Sequence, residues 1–212
     1  MSIFVSRRRM LVGLAAFSAM PSMPVASLAE EAAVFPDPSR IASIGGSLTE
    51  IIFALGEETK LVARDSTSTY PPAALRLPDV GYMRQLSPEG VLSVHPSGIL
   101  ALQGSGPREA IEVLKKASVP YVEIPDDFTH AGIVAKVRLV GRALGVEDKA
   151  ERLAAQVDAE LDAAQRLTAN VGERKRVLFI LSMQGGKILA SGSRSAADGV
   201  ISLPAAVNAI AG

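Results

Sequence analysis

The sequence has no cysteine and only two histidines, His95 and His130, among its 212 residues. Without cysteine, a disulfide bond, a thiolate metal site and a cysteine nucleophile are all excluded. Two histidines are too few for a histidine-rich metal cage. The lack of disulfides leaves the compartment undecided, because proteins outside the cytoplasm are permitted but not required to form them. A function must therefore be sought in other side chains.

An excess of charge of one sign is also missing, because 22 basic residues balance 22 acidic ones. A nucleic-acid-binding domain usually carries a basic stripe or patch, so nucleic acid is not expected as a partner. Apolar runs are short as well. The run from Met10 to Met20 is soon broken by Pro21 and Pro24, and it is too short to span a bilayer well.

Residues 1–29 have the arrangement of an export signal peptide. Arg7, Arg8 and Arg9 precede the apolar run, and small residues ending at Ala29 follow it. Cleavage there would remove three basic residues and no acidic one, which leaves a mildly acidic mature chain. The start SRRRML also suits the twin-arginine export route. An uncleaved membrane anchor is the alternative.

Strand and helix patterns alternate from Arg40 onwards, which predicts right-handed crossovers and a mostly parallel sheet covered on both faces. In the first predicted helix, Ser47 and Glu50 match a capping box, and Gly56 stands where the helix should end. Ser87 is expected to cap the second helix. The predicted strands are RIASIGG, KLVARDS, SGILAL and PYVEIPD, and the helices between them are SLTEIIFALG, SPEGVLSV and GPREAIEVLKKAS.

Two helices are predicted next, from about His130 to Leu144 and from about Asp148 to Ala169. The second keeps one apolar stripe and would be about 30 Å long. KRVLFILSM then predicts one fully apolar strand, followed by a Gly-Gly turn, a short strand and the start of a helix. We therefore predict an α/β protein with an export signal (1–29), a linker (30–39), a Rossmann-like N-terminal lobe (40–128), a helical connector with a long inter-lobe helix (129–172) and the start of an incomplete second α/β lobe (173–212).

The loop after the second predicted strand contains Tyr70, one of only three tyrosines. Four hydroxyl residues, 66–69, precede it, and Pro71 and Pro72 follow it. Proline restricts its own φ and the conformation of the residue before it, while the hydroxyls can satisfy backbone groups of the loop. This places Tyr70 at the carboxyl edge of the sheet, where open α/β sheets bind ligands. From these residues alone, an ordinary turn tyrosine lying over the core is the alternative.

Three segments resemble the periplasmic haem-binding proteins of bacterial haem-uptake ABC transporters, within the class that binds siderophores, vitamin B12 and haem. They are RIASIGGSLTEIIFALG, ARDSTSTYPPAALRLPDVGYMRQLSPEGVLS and RVLFILSMQGGKILASG. The resemblance implies two lobes joined by one long helix, with the ligand between them. It also implies a monomeric periplasmic receptor, not an enzyme, that hands haem to a permease and thereby serves its ATPase. Members of that family continue for most of another lobe, so we expect this chain to be C-terminally truncated.

The resemblance implies that Tyr70 is the axial ligand of haem iron. A phenolate oxygen is an established haem ligand, but an unperturbed tyrosine ionises only near pH 10, so the metal or a nearby cation must assist. Arg64 and Arg84 are the candidate cations. Arg84 is also a candidate partner for a haem propionate, and Tyr82 and Met83 for contacts with the porphyrin ring. A core methionine and solvated arginines are the alternatives.

Glu89 stands where this class of binding proteins has a surface glutamate that docks onto arginines of the permease. The simpler alternative is an acidic residue that stabilises the first turn of a helix. His95 and His130 are expected to face solvent or to cap helices, and not to bind iron.

Two other functions are open. A siderophore or cobalamin receptor could use the same scaffold, but its ligand arrives already chelated and needs no oxygen from Tyr70. The remote alternative is an enzyme that uses SIGGSLTE as a phosphate-binding turn after a strand. The sequence lacks the fuller G-x-G-x-x-G and G-x-x-x-x-G-K-[ST] patterns.

Overall fold

The computed structural model describes residues 34–204 and 206–210, so the predicted signal peptide lies outside the described residues. No helix in the described ranges combines the length and the apolar character needed to cross a bilayer. The elements in chain order are β1 (Ile41–Ile44), α1 (Gly46–Ala54), β2 (Leu61–Arg64), α2 (Pro88–Leu92), β3 (Gly98–Leu102), α3 (Arg108–Lys116), β4 (Tyr121–Ile124), α4 (His130–Leu144), α5 (Glu147–Thr168), β5 (Arg176–Val177), β6 (Ile180–Gln184), β7 (Lys187–Ala190), α6 (Ala196–Ser202) and β8 (Val207–Asn208).

The first four strands form one parallel sheet in the order β2-β1-β3-β4. Every residue of the central strands β1 and β3 is buried, as expected for a sheet covered on both faces. Right-handed crossovers place α1 on one face and α2 and α3 on the other. Contacts of α1 with α4, and of α2 with α3, agree with this arrangement. The Rossmann-like lobe predicted from the sequence is confirmed.

The helix ends of this lobe mostly follow their sequence signals. Gly56 has a φ of +70° just after α1, and Gly145 has a φ of +68° just after α4. At the start of α2, the Ser87 hydroxyl accepts a hydrogen bond from the Gly90 N–H. These three ends are confirmed because each depends on residues within one turn of the helix.

The predicted capping box at Ser47 and Glu50 is wrong. Helix α1 starts one residue before Ser47. Its N-cap is Gly45, which has no side chain with which to cap the helix. The Gly45 N–H instead donates to Asp65 Oδ1 at 3.0 Å, and the first N–H of α1 donates to Thr67 Oγ1 at 3.1 Å. A loop about twenty residues away in sequence therefore supplies the cap.

Helices α4 and α5 pack along each other and form the connector. A Cβ atom at Gly141 of α4 would lie 2.0 Å from the Ala150 Cβ of α5, so the two backbones approach closely. The apolar stripe predicted for α5 is buried near its start, at Ala150 and Ala154, whereas Leu167 near its end is 86% exposed. The first half of α5 thus attaches to the first lobe, and the second half extends beyond it.

The second α/β unit begins differently from the prediction. The run KRVLFILSM does not form one strand but divides into β5, which pairs in parallel with β8, and β6, which pairs with β7 in a hairpin. Gly185 and Gly186 make the hairpin turn with φ values of +56° and +74°. Because the second half of the run pairs within the hairpin, it belongs to a different sheet from the first half. The predicted start of a helix corresponds to α6, which ends at Ser202 and is followed by β8.

An ion cluster joins α5 to the first lobe. The buried carboxylate of Glu57 meets Lys60 Nζ at 2.8 Å and Lys149 Nζ, on α5, at 2.5 Å. Burial acts to raise the pKa of Glu57, but the hydrogen bonds from Lys149 and Lys60 outweigh it and hold the pKa below its ordinary value. A pKa that is lower in the folded state stabilises the fold above the unfolded-state pKa, and this stability is lost as the pH falls.

We expect Glu57→Gln to lower the free energy of unfolding at pH 7 by about 1–3 kcal/mol, because two partly buried ammonium groups lose their counter-charge. The difference from wild type should begin to shrink below about pH 4, where a glutamate of the unfolded chain becomes protonated, because the pKa of Glu57 in the folded chain is lower. Urea unfolding at pH 7 and pH 3.5 measures both effects. Glu58→Gln is the control, since Glu58 is the exposed neighbour. An equal difference at the two pH values would contradict the assignment.

Candidate ligand-binding site

The loops that follow β1, β2 and β3 meet at the carboxyl edge of the sheet. The chain leaves β1 for β2 on one side and reaches β3 on the other, so this edge is a topological switch point. The segment after Val80 also belongs here, because the Gly106 N–H and carbonyl pair with the Met83 carbonyl and the Leu86 N–H, each at 2.8 Å. The edge therefore collects the segments that carry most of the predicted site residues.

Asp65 organises the loop that holds Tyr70. Its fully buried Oδ1 accepts hydrogen bonds from the Gly45 N–H at 3.0 Å and the Ser68 hydroxyl at 2.8 Å. Its Oδ2 accepts from the Thr67 N–H at 3.0 Å and the Thr67 hydroxyl at 2.8 Å. Asp65 was not among the site residues predicted from the sequence. The available signal was an aspartate followed at the second and third positions by hydroxyl residues, which is typical of an Asx turn.

Tyr70 lies just beyond this anchored segment, and its side chain is 63% exposed. The Tyr70–Pro71 peptide bond is cis, and a 3-10 helix, Pro72–Arg76, follows. The Tyr70 phenol makes no hydrogen bond within the described part of the chain, so its oxygen is available to a ligand. It borders an open groove of about 350 Å³ between α1, α4 and α5, whose walls are largely apolar and include Ile133 and Lys136.

The turn from Tyr82 to Gln85 places its side chains on two sides. Tyr82 is 44% exposed and Arg84 is exposed, whereas Met83 is buried in the core with its Sδ 4.0 Å from Thr67 Oγ1. Tyr82 and Arg84 are thus accessible at the carboxyl edge, and their contacts with a ligand stay predictions. Met83 has the position of a core methionine, which supports the structural alternative for this residue.

Arg64 points into a hydrogen-bonded cluster. Its Nη1 donates to the carbonyl of the next residue at 2.9 Å and to Asp79 Oδ2 at 3.2 Å. Burial acts to raise the pKa of Asp79, but hydrogen bonds from the Gly81 N–H and the Ser66 hydroxyl, together with the Arg64 guanidinium, hold it below its usual range. The charge of Arg64 is therefore already paired, and a role of Arg64 beside Tyr70 stays a prediction.

Glu89 is exposed in the first turn of α2. A hydrogen bond from its own backbone N–H and one from the Ser87 hydroxyl, at 2.8 Å, hold the pKa of Glu89 below its ordinary value. The side chain therefore presents a stable negative charge to solvent near neutral pH. This geometry suits both of the roles considered for it, the docking of a permease and the stabilisation of the helix.

The two histidines differ. His95 is exposed at the turn before β3, as predicted. His130 neither faces solvent nor caps α4, because its Nε2 lies 2.8 Å from Asp158 Oδ1 on α5 and Thr129 is the N-cap. The sequence could not show this contact, since 28 residues separate the two partners.

The chain belongs to the periplasmic binding protein family, whose model matches residues 41–212. This is a family of substrate-binding proteins of transport systems. Its relatives include an uncharacterised ABC transporter substrate-binding lipoprotein, YvrC, of Bacillus subtilis (strain 168). The family predicted from the sequence is thereby confirmed.

Two solved structures are similar to this one. The periplasmic haem-binding protein BhuT, solved in complex with two haems, is 39% identical with a TM-score of 0.77, over 82% of this chain and 68% of that chain. The periplasmic haem-binding protein RhuT from Roseiflexus sp. RS-1, in apo form, is 37% identical with a TM-score of 0.75, over 80% of this chain and 65% of that chain.

Vitamin B12-binding proteins are also related. The one from Pectobacterium carotovorum subsp. carotovorum (strain PC1) is 30% identical over 129 residues, which cover 61% of this chain and 46% of that protein. The chain spans about half the length of the curated relatives it matches. The proteins similar to this chain thus include haem-binding and vitamin B12-binding members.

Proposed function

We propose that the protein is an extracytoplasmic receptor that captures haem and delivers it to an ABC transporter permease. One observation carries the proposal. The phenol of Tyr70 stands exposed at the carboxyl edge of the sheet, on a loop anchored by the buried Asp65. The similarity to the haem-binding proteins BhuT and RhuT, at 39% and 37% identity, supports haem within the class.

In this proposal Tyr70 supplies its oxygen to ferric iron as an axial ligand, and coordination to the metal stabilises the phenolate. The anchored loop restricts the conformations of Tyr70 before the ligand binds, so little conformational entropy is lost on binding. The apolar groove beside Tyr70 offers a surface for the edge of the porphyrin. Tyr82 adds an exposed aromatic face at the same edge, and Arg84 an exposed cation.

Delivery requires a contact with the membrane-embedded permease, and Glu89 is the proposed docking residue. Its carboxylate is exposed and charged, so it can meet cationic side chains of a partner without a large desolvation cost. The ATPase of the transporter takes part only through the permease. An export signal at residues 1–29, whose start SRRRML suits the twin-arginine route, would bring the protein to the periplasm. There it would act as a monomer.

Tyr70→Phe tests the proposal. We expect the wild-type chain, titrated with hemin, to give the absorption spectrum of high-spin ferric haem with a tyrosinate ligand, and Tyr70→Phe to lose it. Affinity should fall by a factor of about 10 or more, because phenylalanine offers no oxygen to the metal.

Tyr121→Phe is the matched control, because Tyr121 lies at the start of β4, at the opposite edge of the sheet. Its hydroxyl is buried and has no hydrogen-bond partner among the residues that the structure describes, and burial, with the nearby Glu123 carboxylate, raises the pKa of Tyr121 above its ordinary value. This variant should bind hemin like wild type. An unchanged spectrum in Tyr70→Phe would remove Tyr70 from the site.

Cobalamin is the second candidate ligand, and the relationship to a vitamin B12-binding protein at 30% identity favours it. Cobalt in cobalamin is already chelated, so its binding needs no phenolate from Tyr70. Titration with cyanocobalamin separates the two functions. Tight binding of cobalamin by both wild type and Tyr70→Phe, with weak binding of hemin, would replace haem by cobalamin. Equal binding of a ferric siderophore by wild type and Tyr70→Phe, with weak binding of hemin, would instead identify the protein as a siderophore receptor.

A further inference from the structure

A second cavity, of about 500 Å³, lies between the β4–α4 loop, α5 and α6. Phe128 lines it from the first lobe, His130 from the start of α4, Gln165 from α5, and Arg194 from the loop before α6. The two sides are in close contact, because a Cβ atom at Gly199 of α6 would lie 2.6 Å from the Phe128 carbonyl oxygen. The position of Arg194 relative to the first lobe is therefore set by direct packing.

Arg194 has an unusual backbone conformation, with a φ of +58°. Residues other than glycine rarely adopt the left-handed region, and those that do are concentrated at ligand sites. Here the conformation is held by Asp198, whose Oδ2 accepts from the Arg194 N–H at 2.8 Å. Asp198 is itself fixed, since its Oδ1 accepts from Asn208 Nδ2 at 3.0 Å and its N–H donates to Ser195 Oγ at 3.2 Å.

The charges around the cavity leave a cation available. Of the three aspartates that line it, Asp126 is paired with Lys136, and Asp127 accepts from the Thr129 N–H at 2.9 Å. The third, Asp198, holds the loop of Arg194 as described above. The guanidinium of Arg194 is exposed and makes no ion pair with any residue in the described ranges. Asp127 and Asp198 keep their negative charges, so Arg194 is the cationic group at this wall that can pair with an anionic group of a ligand.

The cavity adjoins the groove of Tyr70. Lys136 lines the groove and its ion-pair partner Asp126 lines the cavity, so the pair forms a wall between them. On α4, Ile133 of the groove is one turn from His130 of the cavity. A potential metal ligand and an unpaired guanidinium thus lie along the same helix pair. That combination suits a metal complex with carboxylates on its periphery.

We propose that Arg194 binds a carboxylate of the ligand whose metal Tyr70 coordinates. The inference rests on the proposed function, and for haem the carboxylate is a propionate. A guanidinium matches a carboxylate in geometry and forms a charge-assisted pair with it, which is stronger than a neutral hydrogen bond. Arg194 then determines the orientation of the ligand and favours acidic metalloporphyrins over neutral ones.

The test compares hemin with hemin dimethyl ester, which keeps the iron and the ring but has no carboxylates. Arg194→Gln should weaken hemin binding by a factor of about 10–100 and leave the affinity for the ester unchanged. Arg194→Lys should retain part of the affinity for hemin, because it keeps the charge and loses only the fork geometry. Arg108→Gln is the control, since Arg108 is exposed on α3, on the other face of the sheet.

The outcomes separate the inference from the proposed function. Equal losses for hemin and ester in Arg194→Gln, or no loss for either, would overturn the role of Arg194 while Tyr70→Phe still abolishes the spectrum. A wild-type chain that binds no hemin would overturn both proposals. Should Arg194→Gln not fold, Arg194→Lys still decides, because it must lose part of the affinity for hemin and none of the affinity for the ester.

Discussion

Asp65→Ala is expected to lower the free energy of unfolding by about 4 kcal/mol, because four hydrogen-bond donors around a fully buried carboxylate lose their acceptor together. Two of these donors come from Thr67, one from Ser68 and one from Gly45 at the start of α1. The substitution therefore releases the Tyr70 loop and uncaps a helix at the same time. Urea unfolding measures the loss of stability.

Asp65→Asn refines this expectation. An amide has only one oxygen that can accept hydrogen bonds. Its NH2 group would face the donors that now bind the second carboxylate oxygen, and two donors cannot form a hydrogen bond. We expect it to lose more than half of the stability lost by Asp65→Ala, although the side chain keeps its size. Asp37→Asn is the control, because Asp37 is exposed and its Oδ1 accepts from the nearby Ser39 N–H at 3.0 Å. A stable Asp65→Asn protein would show that this carboxylate does not hold the loop.

Gly141→Ala is expected to lower the free energy of unfolding by about 3 kcal/mol, even though alanine is the better helix former. The added methyl group would lie 2.0 Å from Ala150 Cβ, so α4 and α5 must move apart. This separation also disturbs the contacts of α5 with the first lobe, including the pair of Lys149 with Glu57. Thermal or urea unfolding measures the effect.

Gly90→Ala is the matched control for this prediction. Gly90 is also in a helix, α2, but a Cβ atom there would meet its nearest neighbour, the Val80 carbonyl oxygen, at an ordinary distance of 3.5 Å. The variant should be as stable as wild type or slightly more so, because alanine favours the helix. If Gly141→Ala matched Gly90→Ala, the close packing of α4 on α5 would carry no stability.

The alternating lobe, the order of its elements and most helix ends could be predicted from the sequence. Each of these depends on periodicity or on signals within a few residues, such as Gly145 after α4 and Ser87 before α2. The placement of Tyr70 at the carboxyl edge belongs to the same group. A loop that follows a strand of a parallel sheet must leave it at that edge.

Tertiary structure alone decided which partners meet. The Ser47–Glu50 pattern predicted a local cap, but the strand order brings the loop after β2 beside the start of α1, where Asp65 supplies it. His130 meets Asp158 only because α4 and α5 are antiparallel neighbours. The apolar run at residues 175–183 forms two strands because its first half pairs with β8 and its second half pairs with β7. Contacts of this kind depend on how distant segments pack, and the energy of a local pattern is too small to determine them.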